Sequence, residues 1–157
     1  MRTDEWDAWR AASLAEYAEE MVRNKGMAPE EASERAERQT HDLLADGLAT
    51  PGHHLFVAED VASGERVGHL WFGPPTPDAD PQVAWLYDIS VEEASRGRGI
   101  GRRIMELLED EARSVGMRRI ELNVFGDNEP AKRLYASTGF VEMTRQMGKD
   151  LDSSLTD

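Results

Sequence analysis

The apolar positions of residues 1–50 recur with the period of a helix. The residues that share this spacing of three to five positions are Trp6, Trp9, Leu14, Tyr17 and Met21. Gly26 follows as a predicted helix stop, and a second helix is predicted from Pro29 to about Asp46, where Gly47 ends it. Two helices with polar outer faces are therefore expected before any strand.

From His53 onward the pattern changes to short apolar runs that are typical of strands. Residues 53–60, 65–72 and 83–91 form three such runs, separated by turn residues, and they predict consecutive antiparallel strands. Residues 73–81 carry four prolines, which remove backbone donors that a strand ladder needs. We therefore predict a surface loop there, placed as a candidate lid on the substrate side.

The remaining segments predict an alternation of helix and strand. A helix is expected from residue 100 to Gly116 with one apolar stripe: Ile100, Ile104, Leu107, Leu108, Ala112 and Val115. A strand over 118–125, a short helix capped by Asn128 and stopped by Gly139, and a last strand over 140–148 follow. Because a strand–helix–strand unit pairs in parallel, the sheet should be mixed. Residues 1–150 are predicted to form one α/β domain, and residues 151–157 a disordered tail.

Composition narrows the class of protein. Cysteine is absent, which excludes disulfide frameworks, thiolate metal sites and cysteine nucleophiles. The sequence has neither an apolar run of membrane-spanning length nor a secretory signal pattern, so we expect a cytoplasmic protein without a membrane partner. The formal net charge of -13 argues against a nucleic-acid partner. This charge would attract a cationic molecule, although acidity also maintains solubility.

One short segment breaks the acidic trend, between the third predicted strand and the helix that follows it. Its residues are Arg96, Gly97, Arg98, Gly99, Ile100, Gly101, Arg102 and Arg103. Glycines allow close approach to a ligand, the free N–H groups at a helix start bind anions, and arginines neutralise phosphate. A pyrophosphate suits the segment, and a structural turn with solvated arginines is the alternative. A P-loop would need Lys and Ser or Thr where Arg102 and Arg103 stand, and G-x-G-x-x-G is absent.

The turn resembles the [Arg/Gln]-x-x-Gly-x-[Gly/Ala] motif of the GNAT acetyltransferase superfamily. Residues 128–135, followed by Gly139 and Phe140, resemble its second motif, N-x-x-A-x-x-L-Y…G-F, in the family order. The resemblance covers about residues 55–147 and implies a three-layer α/β/α sandwich with a mixed, mostly antiparallel sheet. It also implies an N-acetyltransferase that moves an acetyl group from acetyl-CoA, its co-substrate, to a primary amine by direct attack and without a metal. An acyl-CoA-binding sensor or interaction module is the alternative.

The resemblance assigns roles to individual residues. The expected acetyl-CoA contacts are Ile89, Ser90, Val91, Arg96, Gly97, Arg98, Gly99, Ile100, Gly101, Arg102, Asn128, Ala131 and Tyr135. Of these, the strand residues should hold the pantetheine arm through their backbone, and the turn should hold the pyrophosphate. Tyr135 resembles the tyrosine beside the CoA sulfur, where a phenol can protonate the departing thiolate. A core aromatic for Tyr135 and a helix cap for Asn128 are the structural alternatives.

The sequence identifies the general base less clearly than the acetyl-CoA contacts. The glutamates that serve as base in two branches of the family correspond to Trp85 and Asn123 here. Asp88 is the candidate carboxylate, with Glu20, His53 and His54 as alternatives and a water relay equally open.

The N-terminal half resembles a bacterial GNAT subgroup with unassigned substrates, through residues 17–20, 42–44 and 47–55. The first two helices of the family border the acceptor groove, so Tyr17 and Glu20 are expected to face the substrate, with an ordinary amphipathic helix as the alternative. We expect a small-molecule or peptide amine of polyamine-like, aminoglycoside-like or basic-peptide character. The family's usual first strand has almost no room in MRTD, and an exposed sheet edge there would predict a homodimer.

Overall fold

The helices and strands follow the predicted order as far as the last helix. The structure is a computed structural model that describes residues 1–76 and 78–149, so the predicted tail over 151–157 lies outside the described residues. The elements are α1 (Thr3–Lys25), α2 (Pro29–Leu43), β1 (His54–Glu59), β2 (Arg66–Gly73), β3 (Val83–Val91), α3 (Ile100–Ser114), β4 (Arg119–Leu122) and α4 (Glu129–Ser137). Short 3-10 turns occupy Gly47–Ala49 and Glu93–Ser95. Within the described residues, no helix has the length and apolarity needed to cross a membrane.

The sheet has the strand order β1-β2-β3-β4. β1 and β2, and β2 and β3, pair in antiparallel, whereas β3 and β4 pair in parallel because α3 connects them as a crossover. Helix α3 covers one face of the sheet, where Phe72, Met105 and Leu108 are fully buried. Helices α1 and α2 lie on the other face. The predicted three-layer α/β/α sandwich with a mixed, mostly antiparallel sheet is confirmed.

Aromatic packing holds α1 against the sheet. Trp9 is almost fully buried and meets Trp71 of β2 edge to face, with ring centroids 5.7 Å apart. Trp71 in turn stacks on Tyr87 of β3 at 4.5 Å. Small residues on α2, Ala32 and Ala36, are fully buried in the cluster that joins α2 to α1, since the absence of a long side chain lets the two helices approach closely.

Three details differ from the sequence predictions. Helix α2 ends at Leu43 rather than near Asp46, because Leu44 leaves the helical backbone region and is buried in the core against α1. The buried stripe of α3 includes Met105, whereas Leu107 and Val115 are 48% and 43% exposed. The third difference concerns the C-terminal segment.

Residues 140–148 form no strand, so that prediction is wrong. Val141 and Met147 are 81% and 85% exposed, and residues 141–148 are all exposed, so only the first residue of the segment, Phe140, packs against the core. At the other end, no strand precedes α1 among the described residues. Instead the Met1 ammonium group donates a hydrogen bond of 2.9 Å to the Leu55 carbonyl of β1.

Candidate active site

The pairing of β3 with β4 ends at Leu86 and Leu122, and we call the space beside the unpaired part of β3 the cleft. The two strands are in register over only four residues each, Val83–Leu86 and Arg119–Leu122, and β3 then continues alone to Val91. Just beyond this pairing β3 has a bulge. Asp88 pairs with Trp71 and Leu86 pairs with Phe72, so the residue between Leu86 and Asp88 has no partner on β2. A bulge bends a strand and redirects its side chains. The later part of β3 therefore has a free backbone edge toward the cleft.

The glycine-rich turn closes one end of this cleft. Gly97 and Gly99 adopt φ angles of 74° and 79°, in the left-handed region that favours glycine. No described atom lies within 4 Å of the place where a Cβ would stand at either glycine. Gly99 is the N-cap of α3, whose first N–H groups have no partner within the helix. Exposed backbone donors therefore face open space at a helix N-terminus, which is suited to an anion.

The arginines of the turn have structural contacts as well. The Arg96 Nε donates to the Val91 carbonyl at 3.0 Å, and the Arg102 Nη1 donates to the Ser137 carbonyl at 3.1 Å. Gly101 allows α4 to approach, since a Cβ there would stand 3.3 Å from Leu134 Cδ2. Part of the arginine cluster thus braces the turn against β3 and α4, and the structural alternative from the sequence holds for these contacts.

The predicted pantetheine segment and Asn128 border the same cleft. Ile89 and Val91 pack against the core beneath α3, which leaves the alternate residues, Asp88 and Ser90, to point toward the α1 face. Asn128 caps α4, because its Oδ1 accepts a hydrogen bond of 3.1 Å from the Ala131 N–H. The cap predicted from the sequence is confirmed, and cofactor contact by these residues stays a prediction.

Tyr135 lies on α4, half-buried against Phe140 at 5.7 Å between ring centroids. Burial raises the pKa of Tyr135 to about 12, and the negative charges of Asp88 and Glu20 contribute in the same direction. The phenol is therefore a protonated donor throughout the neutral range. Tyr135 of α4 thus interacts electrostatically with Asp88 of β3 and Glu20 of α1.

Asp88 is held from two sides. Its Oδ2 accepts hydrogen bonds from the Ser13 hydroxyl at 3.0 Å and from His69 Nε2 at 2.9 Å. Its side chain is 18% exposed. Within the described part of the chain, Oδ1 accepts no hydrogen bond, so this oxygen can receive a proton without breaking an existing contact.

Helix α1 brings further acidic groups to the cleft. Burial raises the pKa of Glu20, and the charges of Glu16, Asp88 and Asp127 raise it further, while Arg23 opposes them. We call these four carboxylates, Glu16, Glu20, Asp88 and Asp127, the acidic rim. An ion pair of 3.4 Å between Arg23 and Asp127 ties α1 to the segment before α4.

The other three candidates from the sequence analysis, Tyr17 as a substrate contact and His53 and His54 as alternative bases, have different surroundings. The Tyr17 hydroxyl donates to Gln39 Oε1 at 3.0 Å and so lies between α1 and α2. His53 Nδ1 accepts a hydrogen bond of 3.1 Å from the Trp71 Nε1–H, and burial lowers the pKa of His53. Because its lone pair is already engaged, His53 is a poor proton acceptor. His54 stacks on Phe72 at 4.7 Å.

Sequence reasoning missed Ser13, Arg66 and His69. His69 is 7% exposed within a strand whose neighbours are apolar. A buried polar side chain needs a hydrogen-bond partner, so one histidine inside the run GHLWF is the signal that points to a nearby carboxylate. Ser13 carries no comparable signal, since it lies among polar residues on α1.

Comparisons with known proteins bear on the whole chain. The sequence profile of the Acetyltransferase (GNAT) family matches residues 14–140. The chain is 36% identical to the uncharacterized N-acetyltransferase YycN of Bacillus subtilis over 96% of each chain, and the crystal structure of YycN superposes with a TM-score of 0.88 over 96% of this chain and 95% of that one. YdgE of the same organism, another uncharacterized N-acetyltransferase, is 30% identical over 96% of this chain and 95% of its own.

A more distant structure shares the fold. The aminoglycoside N-acetyltransferase AAC(6')-Iy, in complex with the bisubstrate analog CoA-S-monomethyl-acetylneamine, is 16% identical and has a TM-score of 0.59 over 97% of this chain and 95% of that one.

Proposed function

The chain belongs to the GNAT family of acetyltransferases and is an acetyl-CoA-dependent N-acetyltransferase, and we propose that the cleft between β3 and β4 is its active site, with an acceptor amine entering from the α1 side. The comparisons name acetyltransferases and give no support to the alternative of a sensor without turnover. The assignment of individual residues below is our proposal. The single observation that carries it is the glycine-rich turn at the N-terminus of α3, with open space beside Gly97 and Gly99, next to the part of β3 that β4 leaves unpaired.

The turn is proposed to hold the pyrophosphate of acetyl-CoA. Gly97 and Gly99 present exposed backbone with open space beside it, and α3 contributes the positive end of its dipole. The backbone edge of Ile89, Ser90 and Val91 that faces away from β2 is available for the amide groups of the pantetheine arm, apart from the Val91 carbonyl, which accepts from Arg96. Asn128, Ala131 and the exposed Arg98 complete the proposed contacts. These residues fit the group, since nothing described fills the space beside the turn.

Tyr135 and Asp88 are proposed to move the protons. Acetyl-CoA supplies a thioester whose acetyl carbon bonds to the amine nitrogen as the C–S bond breaks. Asp88 accepts the proton that the amine nitrogen loses, at its Oδ1. Tyr135, whose pKa of about 12 keeps it protonated, donates its phenolic proton to the departing sulfur, and after CoA leaves it regains a proton from water while Asp88 returns one to water. A general base or acid of this kind contributes about 10²–10⁴-fold to a rate.

The acceptor is proposed to be a cationic amine. The acidic rim lies on the α1 side, and the chain as a whole has a net charge of -13, so a second positive group on the acceptor would be attracted there. AAC(6')-Iy, whose fold is shared, acts on aminoglycosides, which also carry several amines. A cytoplasmic location and a homodimer stay predictions from the sequence.

A turnover assay tests this function. Release of free CoA from acetyl-CoA is followed with spermidine, neamine and a lysine-rich peptide, and with glycinamide and glutamate as monoamine and acidic controls. We expect turnover with at least one polycationic acceptor, at a kcat/KM at least about tenfold above the two controls. Higher kcat/KM values for glutamate would refute the cationic-acceptor proposal, and failure of every amine would count against the proposed cleft.

A further inference from the structure

We propose that His69 is a positioning residue for the acetyl transfer: anchored by Arg66 and Glu92, it fixes Asp88 by one oxygen and leaves the other free for the acceptor amine. This inference rests on the proposed function, because it takes Asp88 as the proton acceptor. It concerns residues from β2 and from the segment after β3 that do not themselves border the turn.

The sheet register brings the two side chains together. His69 of β2 faces Ser90, and Asp88 of β3 faces Trp71, so His69 and Asp88 are diagonal neighbours on the α1 face. Diagonal pairs on one face lie within reach of long side chains. The separation of 2.9 Å between His69 Nε2 and Asp88 Oδ2 is that of a strong hydrogen bond.

A third side chain determines which nitrogen of His69 carries the proton. Arg66 Nη2 lies 3.2 Å from His69 Nδ1. A guanidinium group has only donors, so Nδ1 must offer its lone pair and the proton must be on Nε2, directed at Asp88. Glu92 Oε1 lies 3.0 Å from Arg66 Nε and forms an ion pair with the guanidinium group, although this nitrogen makes no hydrogen bond to any described residue. Glu92, Arg66, His69 and Asp88 thus form one oriented chain, which we call the Asp88 chain.

The charges around Asp88 explain why such a chain is useful. Glu20 of α1 and Tyr135 of α4 are coupled to Asp88, Glu16 and Asp127 lie in the same acidic rim, and these carboxylates all disfavour a further negative charge. His69 from β2 and Ser13 from α1 both donate to Oδ2 and so hold this carboxylate in place, with Oδ1 left to accept a proton.

Stability alone gives little reason for this arrangement. Replacing a buried charged or polar pair by apolar residues of similar size is often neutral or stabilising. His69 is buried beside Trp9, at 6.3 Å between ring centroids, in a position where an apolar residue would pack well. A polar chain that leads to Asp88 is therefore better explained by its effect on that carboxylate.

The test compares His69→Leu with His69→Gln. Every assay uses the same acceptor amine, so that ionisation of the amine affects the wild type and both variants equally. Leucine removes the donor, whereas the glutamine amide can donate to Asp88 and accept from Arg66. For His69→Leu we expect kcat to fall about 10–100-fold and the acidic limb of the pH profile of kcat/KM to move up by about one unit, because the carboxylate has lost a donor. The KM for acetyl-CoA should not change. His69→Gln should recover most of the rate and the original limb.

Ser13→Ala provides a second variant, in case His69→Leu does not fold. It removes the other donor to Oδ2 and should move the acidic limb in the same direction by a smaller amount. Equal loss of kcat in both His69 variants, or an unshifted limb in His69→Leu and Ser13→Ala, would overturn the proposal. Full activity of Asp88→Asn would also overturn it. The assignment as an acetyltransferase would still stand in that case, because it depends on acetyl transfer by the wild type.

Discussion

The two sides of the cleft are built in different ways. The cofactor side is one continuous stretch of backbone, residues 96–101, whose shape depends on glycine φ angles and on the start of α3. The acceptor side is a set of side chains from distant parts of the sequence, with Ser13 and Asp88 75 positions apart and His69 between them in β2. Local backbone chemistry therefore defines the first side, and tertiary packing defines the second.

Charge separates the two sides as well. The basic side has arginines that are partly occupied with protein carbonyls, at Val91 and Ser137. On the acidic side, burial and the neighbouring carboxylates raise the pKa values of Glu20 and Tyr135. If this division is correct, changes on one side should alter acetyl-CoA affinity, and changes on the other should alter the chemical step or acceptor affinity.

The largest effect is expected from Gly99→Val. Gly99 and Gly116 flank α3 with φ angles of 79° and 86° and open space beside both. Valine should cost each variant a similar strain, about 1–2 kcal/mol, so Gly116→Val is the matched control for folding. Only Gly99→Val also blocks the donors of the turn, and we expect its kcat/KM for acetyl-CoA to fall at least about 100-fold. Similar losses in both variants would show that the turn has only a structural role.

The second prediction compares the loss of the hydroxyl group from two tyrosines of similar pKa. Burial raises the pKa of Tyr87, like that of Tyr135, to about 12, but the Tyr87 hydroxyl donates to the Pro74 carbonyl at 2.7 Å. Tyr135→Phe should lower kcat about 10–100-fold, whereas Tyr87→Phe should lower stability by about 1 kcal/mol and leave kcat close to the wild-type value.

The raised pKa of Tyr135 also predicts how kcat depends on pH. Because Tyr135 keeps its proton up to a pH near its raised pKa of about 12, it should cause no alkaline fall in kcat between pH 7 and pH 10. An alkaline limb in that range that disappears in Tyr135→Phe would contradict the assigned role.

A smaller effect is expected from Glu20→Gln. Removing one charge of the acidic rim should raise the KM for a polycationic acceptor about three- to tenfold at low salt, with little change for a neutral acceptor. Glu19→Gln makes the same charge change one position away on the exposed surface of α1. If both variants raise KM equally, the attraction comes from net charge and not from the rim.

The smallest effect concerns stability. Because burial raises the pKa of Glu20, the folded state holds this proton more tightly than the unfolded state does. The resulting stabilisation is complete below the unfolded pKa and is lost as the pH rises through the higher folded pKa. Glu20→Gln should therefore raise Tm at pH 8, by about 3 °C at most, and give no gain near pH 4. A lower Tm at pH 8 would contradict the account of Glu20.

The sequence was sufficient for the locally determined parts. Gly26 ends α1 in the left-handed conformation and Asn128 caps α4, as their residue types predict. The sequence was insufficient where packing decides. The burial of Met105 depends on how α3 is rotated against the sheet, and the exposed segment 141–148 has a strand-like pattern with no surface to cover. The Asp88 chain depends on the β2–β3 register, which no local pattern specifies.

Calorimetric titration with acetyl-CoA tests the division of the cleft most directly, on the wild type, Gly99→Val and Asp88→Asn. We predict that the wild type and Asp88→Asn bind with Kd values within about threefold of each other, and that Gly99→Val binds at least about 100-fold more weakly. Unchanged binding by Gly99→Val, or a matching loss in Asp88→Asn, would contradict the assignment of acetyl-CoA binding to the turn and of proton transfer to Asp88.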